Sequence, residues 1–331
     1  MARRRKVLVG IAVLLLGVGV ALAAGVRADV PASELEARHA TPPSRFVDVD
    51  GLRVHYRDQG QGPALVLLHG SNASLFTWEG WVRELSAHHR VITLDLPGHG
   101  LTGPDAKGRY TYEGMAAVVD AFRARLGLER FALAGNSMGG AVAWHYALLY
   151  PERVERLVLV DAAGYPRDEP SPWVFRLART PVLGEVFSLV TPRWVIDRNV
   201  RGVYGDPSKV TDESVDRYHA LLLREGNRAA TRQRLRAGAD NGLWRRLGEL
   251  RVPTLILWGG RDAWILPRYG ERFDRDIPDS RSVVYPELGH VPMEEDPVRT
   301  AAEVRQFLAE GQRPAQPIPA PPPPASDDAT P

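Results

Sequence analysis

The chain has 331 residues, of which 25% are charged and 44% hydrophobic, with a formal net charge of +2 and no cysteine. That length admits one large α/β domain with an insertion, or two small domains. The near-balanced charge argues against a nucleic-acid binder, and the missing cysteines exclude a disulfide framework, a thiolate metal site and a cysteine nucleophile.

At the N-terminus, Arg3, Arg4, Arg5 and Lys6 form a basic cluster, and Val7 to Val26 follows without a charged residue. At about 1.5 Å per residue this run is about 30 Å long, the thickness of a bilayer core. Residues 1–28 are therefore expected to be a retained membrane anchor. The alternative is a cleaved signal peptide, for which Ala21-Leu22-Ala23 supplies small residues at a suitable spacing. The basic cluster stays cytoplasmic, so the rest of the chain is expected on the periplasmic or extracytoplasmic side, or secreted after cleavage. Residues 29–44 carry Pro31, Pro42 and Pro43 and read as a polar linker without regular structure. Residues 311–331, rich in Pro and Ala, read as a disordered tail. The folded unit is then residues 45–310.

Within it, Phe46–Val49 and Leu52–Arg57 flank Asp50-Gly51, a hairpin signal. The runs Ala64–Leu68, Val91–Leu94, Phe131–Ala134, Leu157–Val160, Thr254–Leu257 and Ser282–Tyr285 follow. Several are apolar throughout, as in parallel strands covered on both faces. Helical patterns fall between them, at about Tyr112–Leu126, Met138–Tyr150, Pro267–Phe273 and Pro297–Ala309. This alternation predicts an α/β fold with a doubly wound, mostly parallel sheet. It breaks between residues 162 and 250, which read as a helical cap inserted between two strands. Ser171-Pro172, Thr180-Pro181 and Thr191-Pro192 are candidate helix starts there.

The chemistry centres on Gly135-Asn136-Ser137-Met138-Gly139, between a predicted strand and a predicted helix. A serine hydroxyl reacts when it is exposed, positioned and next to a base. A strand-to-helix turn exposes it, glycines relieve the crowding, and the helix start favours developing negative charge. Asp262 and His290 each follow a predicted strand, in the order Ser, Asp, His. Neutral His290 can take the Ser137 proton while Asp262 holds its tautomer, so acid should suppress activity. Asp161 also ends a strand and is the backup for Asp262. The oxyanion donors are expected to be the backbone N–H groups of Met138 and of Ser71, in the loop His69-Gly70-Ser71-Asn72.

From about Arg45 to Leu308 the chain resembles the α/β-hydrolase superfamily. The resemblance rests on His69-Gly70, Asp95-Leu96-Pro97-Gly98-His99-Gly100, Gly135 to Gly140, Gly260-Arg261-Asp262 and Gly289-His290, in order and spacing. It is similar both to lipase or esterase members and to carbon–carbon hydrolases of aromatic ring degradation. Ser137 stands where epoxide hydrolases and haloalkane dehalogenases carry aspartate. Asn72-Ala73-Ser74 departs from the glycine-proline loops of the carbon–carbon hydrolases and proline aminopeptidases. The expected activity is carboxylic-ester hydrolysis of a small-molecule or lipid ester, without a cofactor. The alternatives are carbon–carbon bond hydrolysis and a non-enzymatic binder on the same fold.

Weaker features complete the reading. Asn72, Trp194 and Trp264 are candidates for a substrate pocket, with Trp173, Phe175, Phe187 and Tyr204 as further cap aromatics. His99 and His145 read as structural. His55, His88, His89 and His219 have no metal-ligand spacing, so no metal site is expected. Arg224, Arg228, Arg232, Arg234 and Arg236 read as a solvated helix face, with contact to anionic lipid as the alternative.

Overall fold

The computed structural model describes residues 25–170, 176, 179–180, 184–185, 189–238 and 242–310. The expected anchor (all but residues 25–28), the tail, Ser171-Pro172, Pro181, Trp173, Phe175 and Phe187 lie outside the described residues.

Eight strands form one sheet: β1 (Ser44–Val49), β2 (Leu52–Gln59), β3 (Ala64–Leu68), β4 (Arg90–Leu94), β5 (Phe131–Asn136), β6 (Val154–Val160), β7 (Thr254–Gly259) and β8 (Ser280–Tyr285). Their spatial order is β1-β2-β4-β3-β5-β6-β7-β8. The β1–β2 and β2–β4 pairs are antiparallel and all others are parallel. The helices are α1 (Ala32–His39), α2 (Glu79–Leu85), α3 (Tyr112–Arg125), α4 (Met138–Leu149), α5 (Arg193–Val203), α6 (Asp212–Leu222), α7 (Asn227–Ala237), α8 (Arg268–Asp276), α9 (Pro292–Glu295) and α10 (Pro297–Ala309).

The continuous apolar runs have a direct physical reason. Successive strand residues point to opposite faces, and both faces of this sheet are covered. In β3, Val66 and Leu68 join a core with Phe122, Val142 and Trp144 of α3 and α4. Leu65 and Leu67 join a second core with Trp81, Leu85 and Phe307 of α2 and α10. Polar residues have no wet face on which to alternate.

The sheet order also positions the site. The chain runs from β3 to β4 on one side, then crosses to β5 on the other side of β3. The carboxyl ends of β3 and β5 flank this switch point, where open α/β sheets form their ligand crevice. Leu68 and Gly135 are register partners there.

The insertion between β6 and β7 is helical. Among the described residues it holds α5, α6, α7 and two 3₁₀ segments, Pro207–Lys209 and Leu243–Glu249. Its helix starts differ from expectation at Thr191. The α5 helix begins at Arg193 with Pro192 at the N-cap position and no side-chain cap. The Thr191 hydroxyl instead accepts from Arg228 Nη1 at 3.3 Å.

Two expectations are corrected here. Residues 29–44 contain α1, whose Leu35 is fully buried against Leu75, Phe76, Leu101 and Leu221. The segment just before it is strapped to the cap. Val30 N donates to Leu223 O, Glu225 N donates to Val30 O, and Asp29 pairs with Arg228 at 2.5 Å. The arginines from 224 to 236 are therefore not a uniformly solvated face. Arg228 is buried, and its guanidinium also donates to Arg27 O.

Candidate active site

Ser137 sits at the junction of β5 and α4 with φ 53° and ψ −115°. A non-glycine residue pays strain at positive φ, so the surroundings must hold it. Ser137 N donates to Val160 O at 3.0 Å, and Ser137 O accepts from Ala163 N at 2.9 Å and Ala141 N at 3.1 Å. The flanking glycines have steric reasons. A Cβ on Gly135 would lie 2.2 Å from Gly139 O, and one on Gly139 would lie 2.2 Å from Leu68 O. The turn is wedged against the end of β3, which brings the β3 loop to the serine.

That loop is set by His69. Its Nε2 accepts from Leu96 N at 3.0 Å, so its proton is on Nδ1, which donates to Gly70 O at 2.7 Å. Burial lowers its pKa, against the opposing pull of Asp95, and favours this neutral form. Gly70 packs against the nucleophile turn so closely that a Cβ there would lie 3.3 Å from Ser137 Cβ. Ser71 and Asn72 follow directly, and Asn72 adopts a left-handed φ of 59°.

Asp262 and His290 meet at the same sheet edge, both buried. His290 Nδ1 donates to Asp262 Oδ2 at 2.6 Å. The other carboxylate oxygen, Oδ1, accepts from Trp264 N at 2.7 Å and Ile265 N at 2.9 Å. With Nδ1 engaged, His290 leaves Nε2 as its free ring nitrogen, and His290 lines the same cavity as Ser137. The cavity measures about 830 Å³ between sheet and cap, large enough for an organic substrate. Ser71, Met138, Asn72 and Trp264 also line it. Trp264 stacks near His290, with ring centroids 6.3 Å apart.

Trp194 is a correction. It is 65% exposed and absent from the cavity wall. Its neighbours Val195 and Ile196 line the cavity instead, because a step of one residue turns the helix by about 100°.

Three supporting residues escaped the sequence reading as such. Asn136 Nδ2 donates to Val160 O and to His290 O, tying the serine turn to the histidine loop. Buried Glu295 accepts from Gly289 N, Gly205 N and Asp206 N, joining that loop to the cap. Asp161 lies behind Asp262 with φ 45°, and its Oδ1 accepts from Gly259 N at 2.9 Å. The first could have been suspected from its place in the motif, whereas the other two carry no local signal for these contacts.

Burial pushes the Asp161 carboxyl well above the usual carboxylate range, and the neighbouring Asp262 pushes it further. One potential ligand atom from each of Asp161, Asp262 and His290 lies within 4.8 Å of the others. Both Asp262 oxygens and Asp161 Oδ1 already accept backbone N–H groups or the histidine, whereas Asp161 Oδ2 is buried without a hydrogen-bond partner. A carboxyl that burial drives toward its protonated form is a poor cation ligand. The cluster therefore reads as a hydrogen-bond network.

The raised Asp161 pKa has a stability consequence. An acid whose folded pKa exceeds its unfolded value costs stability as pH rises above the unfolded value. Asp161→Asn keeps an acceptor for Gly259 N and a donor for Asp262 without that charge. It is expected to raise the urea midpoint at pH 8, with a smaller gain at pH 5. An equal change at both pH values would contradict the raised Asp161 pKa.

A strained serine between a parallel strand and a buried helix, lining one cavity with a histidine that is bonded to a carboxylate, is the arrangement of the serine-bearing α/β hydrolases. The chain belongs to the α/β-hydrolase family, whose profile, described as the alpha/beta hydrolase fold, matches residues 63–297. It is 30% identical to 2-hydroxy-6-oxo-6-phenylhexa-2,4-dienoate hydrolase of Burkholderia cepacia, over 75% of this chain and 90% of that protein. Among solved structures it is similar to a thermophilic esterase from Thermogutta terrifontis, with TM-score 0.68 and 27% identity, covering 80% of this chain and 97% of that one. It is also similar to a bacterial membrane phospholipase A, with TM-score 0.69 and 27% identity, covering 92% of this chain and 98% of that one.

Proposed function

We propose that this hydrolase cleaves carboxylic esters through an acyl-enzyme. The observation that carries the reading is the 2.6 Å contact from His290 to Asp262, facing the cavity that also exposes the Ser137 turn. Ser137 Oγ attacks the ester carbonyl while His290 Nε2 takes its proton. The Met138 and Ser71 N–H groups hold the oxyanion. His290 then protonates the leaving alcohol, and water repeats the sequence on the acyl-enzyme. Asp262 fixes the tautomer and stabilises the imidazolium. No organic or metal cofactor enters these steps.

The substrate is a small-molecule or lipid ester, and the chain is held in a membrane by the N-terminal segment ahead of Val26, with its catalytic part extracytoplasmic. The expected anchor is shorter than residues 1–28, because Val26 and Arg27 pair with Val190, Leu189 and Arg228 of the cap. The uncharged run Val7 to Val26 behind a basic cluster supports this placement. No helix among the described residues is long and apolar enough to cross a membrane, and residues 1–24 are outside that set. Carbonate-resistant membrane association would support the anchor, whereas a mature chain starting near Ala24 or Asp29 would replace it with a cleaved signal.

The second reading is carbon–carbon hydrolysis of a ring-cleavage product, favoured by the similarity to the dienoate hydrolase. A p-nitrophenyl ester series from acetate to palmitate, run beside such a dienoate, separates the two. Turnover of the dienoate alone would put the carbon–carbon reading first.

A further inference from the structure

The cap places the Arg234 guanidinium in the catalytic cavity with no ion pair among the described residues. Arg234, on α7, lines the cavity with Ser137 and His290. Its Nη2 donates to Ser71 Oγ at 2.5 Å. Its Nε is sealed from solvent and has no hydrogen-bond partner. No ion pair is made by Arg234 among the described residues, whereas its helix neighbours Arg228 and Arg236 pair with Asp29 and Glu185. The acid of the cavity wall, Glu169, is already committed to Arg167, Arg268 and the Tyr269 hydroxyl. Besides burial, the neighbours that act on Arg234 are Tyr112, which favours its charged form, and another cation, Arg179, which opposes it.

We propose that Arg234 is an anion subsite, and that the natural ester carries a carboxylate or phosphate a few bonds from its scissile carbonyl. This rests on the ester reading of the same cavity. The distance follows from Ser71, whose N–H is the proposed oxyanion donor and whose hydroxyl holds the guanidinium. A planar guanidinium matches two oxygens of a carboxylate or phosphate with parallel N–H bonds. A sheltered cation with one neutral partner carries a desolvation cost that an arriving anion offsets. Burial has lowered the Arg234 pKa to about 10, so the group remains charged at neutral pH and responds to a nearby anion. A neutral ester leaves the remaining N–H donors unmatched, so the subsite selects against it.

The test uses the full chain in detergent and two esters of similar size, mono-p-nitrophenyl glutarate and p-nitrophenyl pentanoate. The ratio of their kcat/KM values, anionic over neutral, is expected to fall by at least about ten-fold in Arg234→Gln, mainly through KM. Arg234→Lys should recover part of it and covers the case in which the glutamine variant misfolds. The same ratio in all folded forms would overturn the subsite.

A binding arm needs no turnover. Glutarate and butyl phosphate are titrated by calorimetry into the full-chain Ser137→Ala protein, with and without Arg234→Gln. Binding lost with Arg234 supports the subsite even if no ester is cleaved, so failure of the ester reading shows separately. Tighter glutarate assigns a dicarboxylate monoester, and tighter butyl phosphate assigns a phosphate-bearing ester. No binding of either anion to the protein that retains Arg234 overturns the proposal.

Discussion

Ser137→Ala is expected to lower kcat for p-nitrophenyl butyrate by about ten-thousand- to a million-fold, the range seen when a triad nucleophile is removed. The substitution deletes one oxygen and leaves the turn intact. Ser137 contributes its backbone N and O to Val160, Ala141 and Ala163, and an alanine makes the same three bonds. The φ of 53° is as strained for alanine as for serine, so the unfolding midpoint should hardly change. KM should also stay close to its original value, because the cavity wall loses only a hydroxyl. Labelling by a fluorophosphonate probe should disappear with the activity. Retained turnover with retained labelling would assign the nucleophile to another residue and sink the reading of this site.

The fold and much of the site were legible because their signals are local. Strands β3 to β7 are covered on both faces, so each appears as an apolar run that needs no partner to be recognised. The serine turn needs glycines for steric reasons written within a few residues, as the contacts of Gly135 and Gly139 show. Asp262 and His290 were found by their positions just after strands, which also places them at one sheet edge.

What was missed depends on packing between distant segments. In α1 a single residue, Leu35, is buried, so there is no apolar repeat to mark the helix. The prolines around it suggested a linker, yet Pro31 occupies the N-cap position, where its missing N–H does no harm. The cap arginines share a spacing suited to a solvated face. Their fates differ because Asp29 reaches Arg228 from the other end of the chain, while Arg234 turns toward Ser71. Trp194 was judged on residue type, which does not say which side of α5 faces the cavity. Asp161 was read as a rival for Asp262. Its burial and position make it the neighbour of that residue whose pKa is raised.

Asp262→Asn carries the second large effect, a fall in kcat of about ten-thousand-fold, and the local geometry gives the reason. Oδ1 is fixed by two backbone donors, Trp264 N and Ile265 N. An asparagine at this position must keep its carbonyl oxygen there, since an amide NH₂ cannot accept those bonds. Its NH₂ then faces His290 Nδ1, where Oδ2 was. The imidazole can only accept that bond with Nδ1, so its proton moves to Nε2, the nitrogen that must receive the Ser137 proton. The variant should therefore fold and bind ester but fail as a base. Nitrogen-15 NMR of the histidine ring should report the changed tautomer. A loss below about ten-fold, far short of the usual cost, would mean that another carboxylate orients His290. Asp161 is the nearby candidate, because removing the Asp262 charge removes one cause of its raised pKa. Comparing Asp262→Asn with the Asp161→Asn/Asp262→Asn double variant decides it. A further fall in the double variant assigns the residual activity to Asp161, and equal rates leave the His290–Asp262 pair as the working unit.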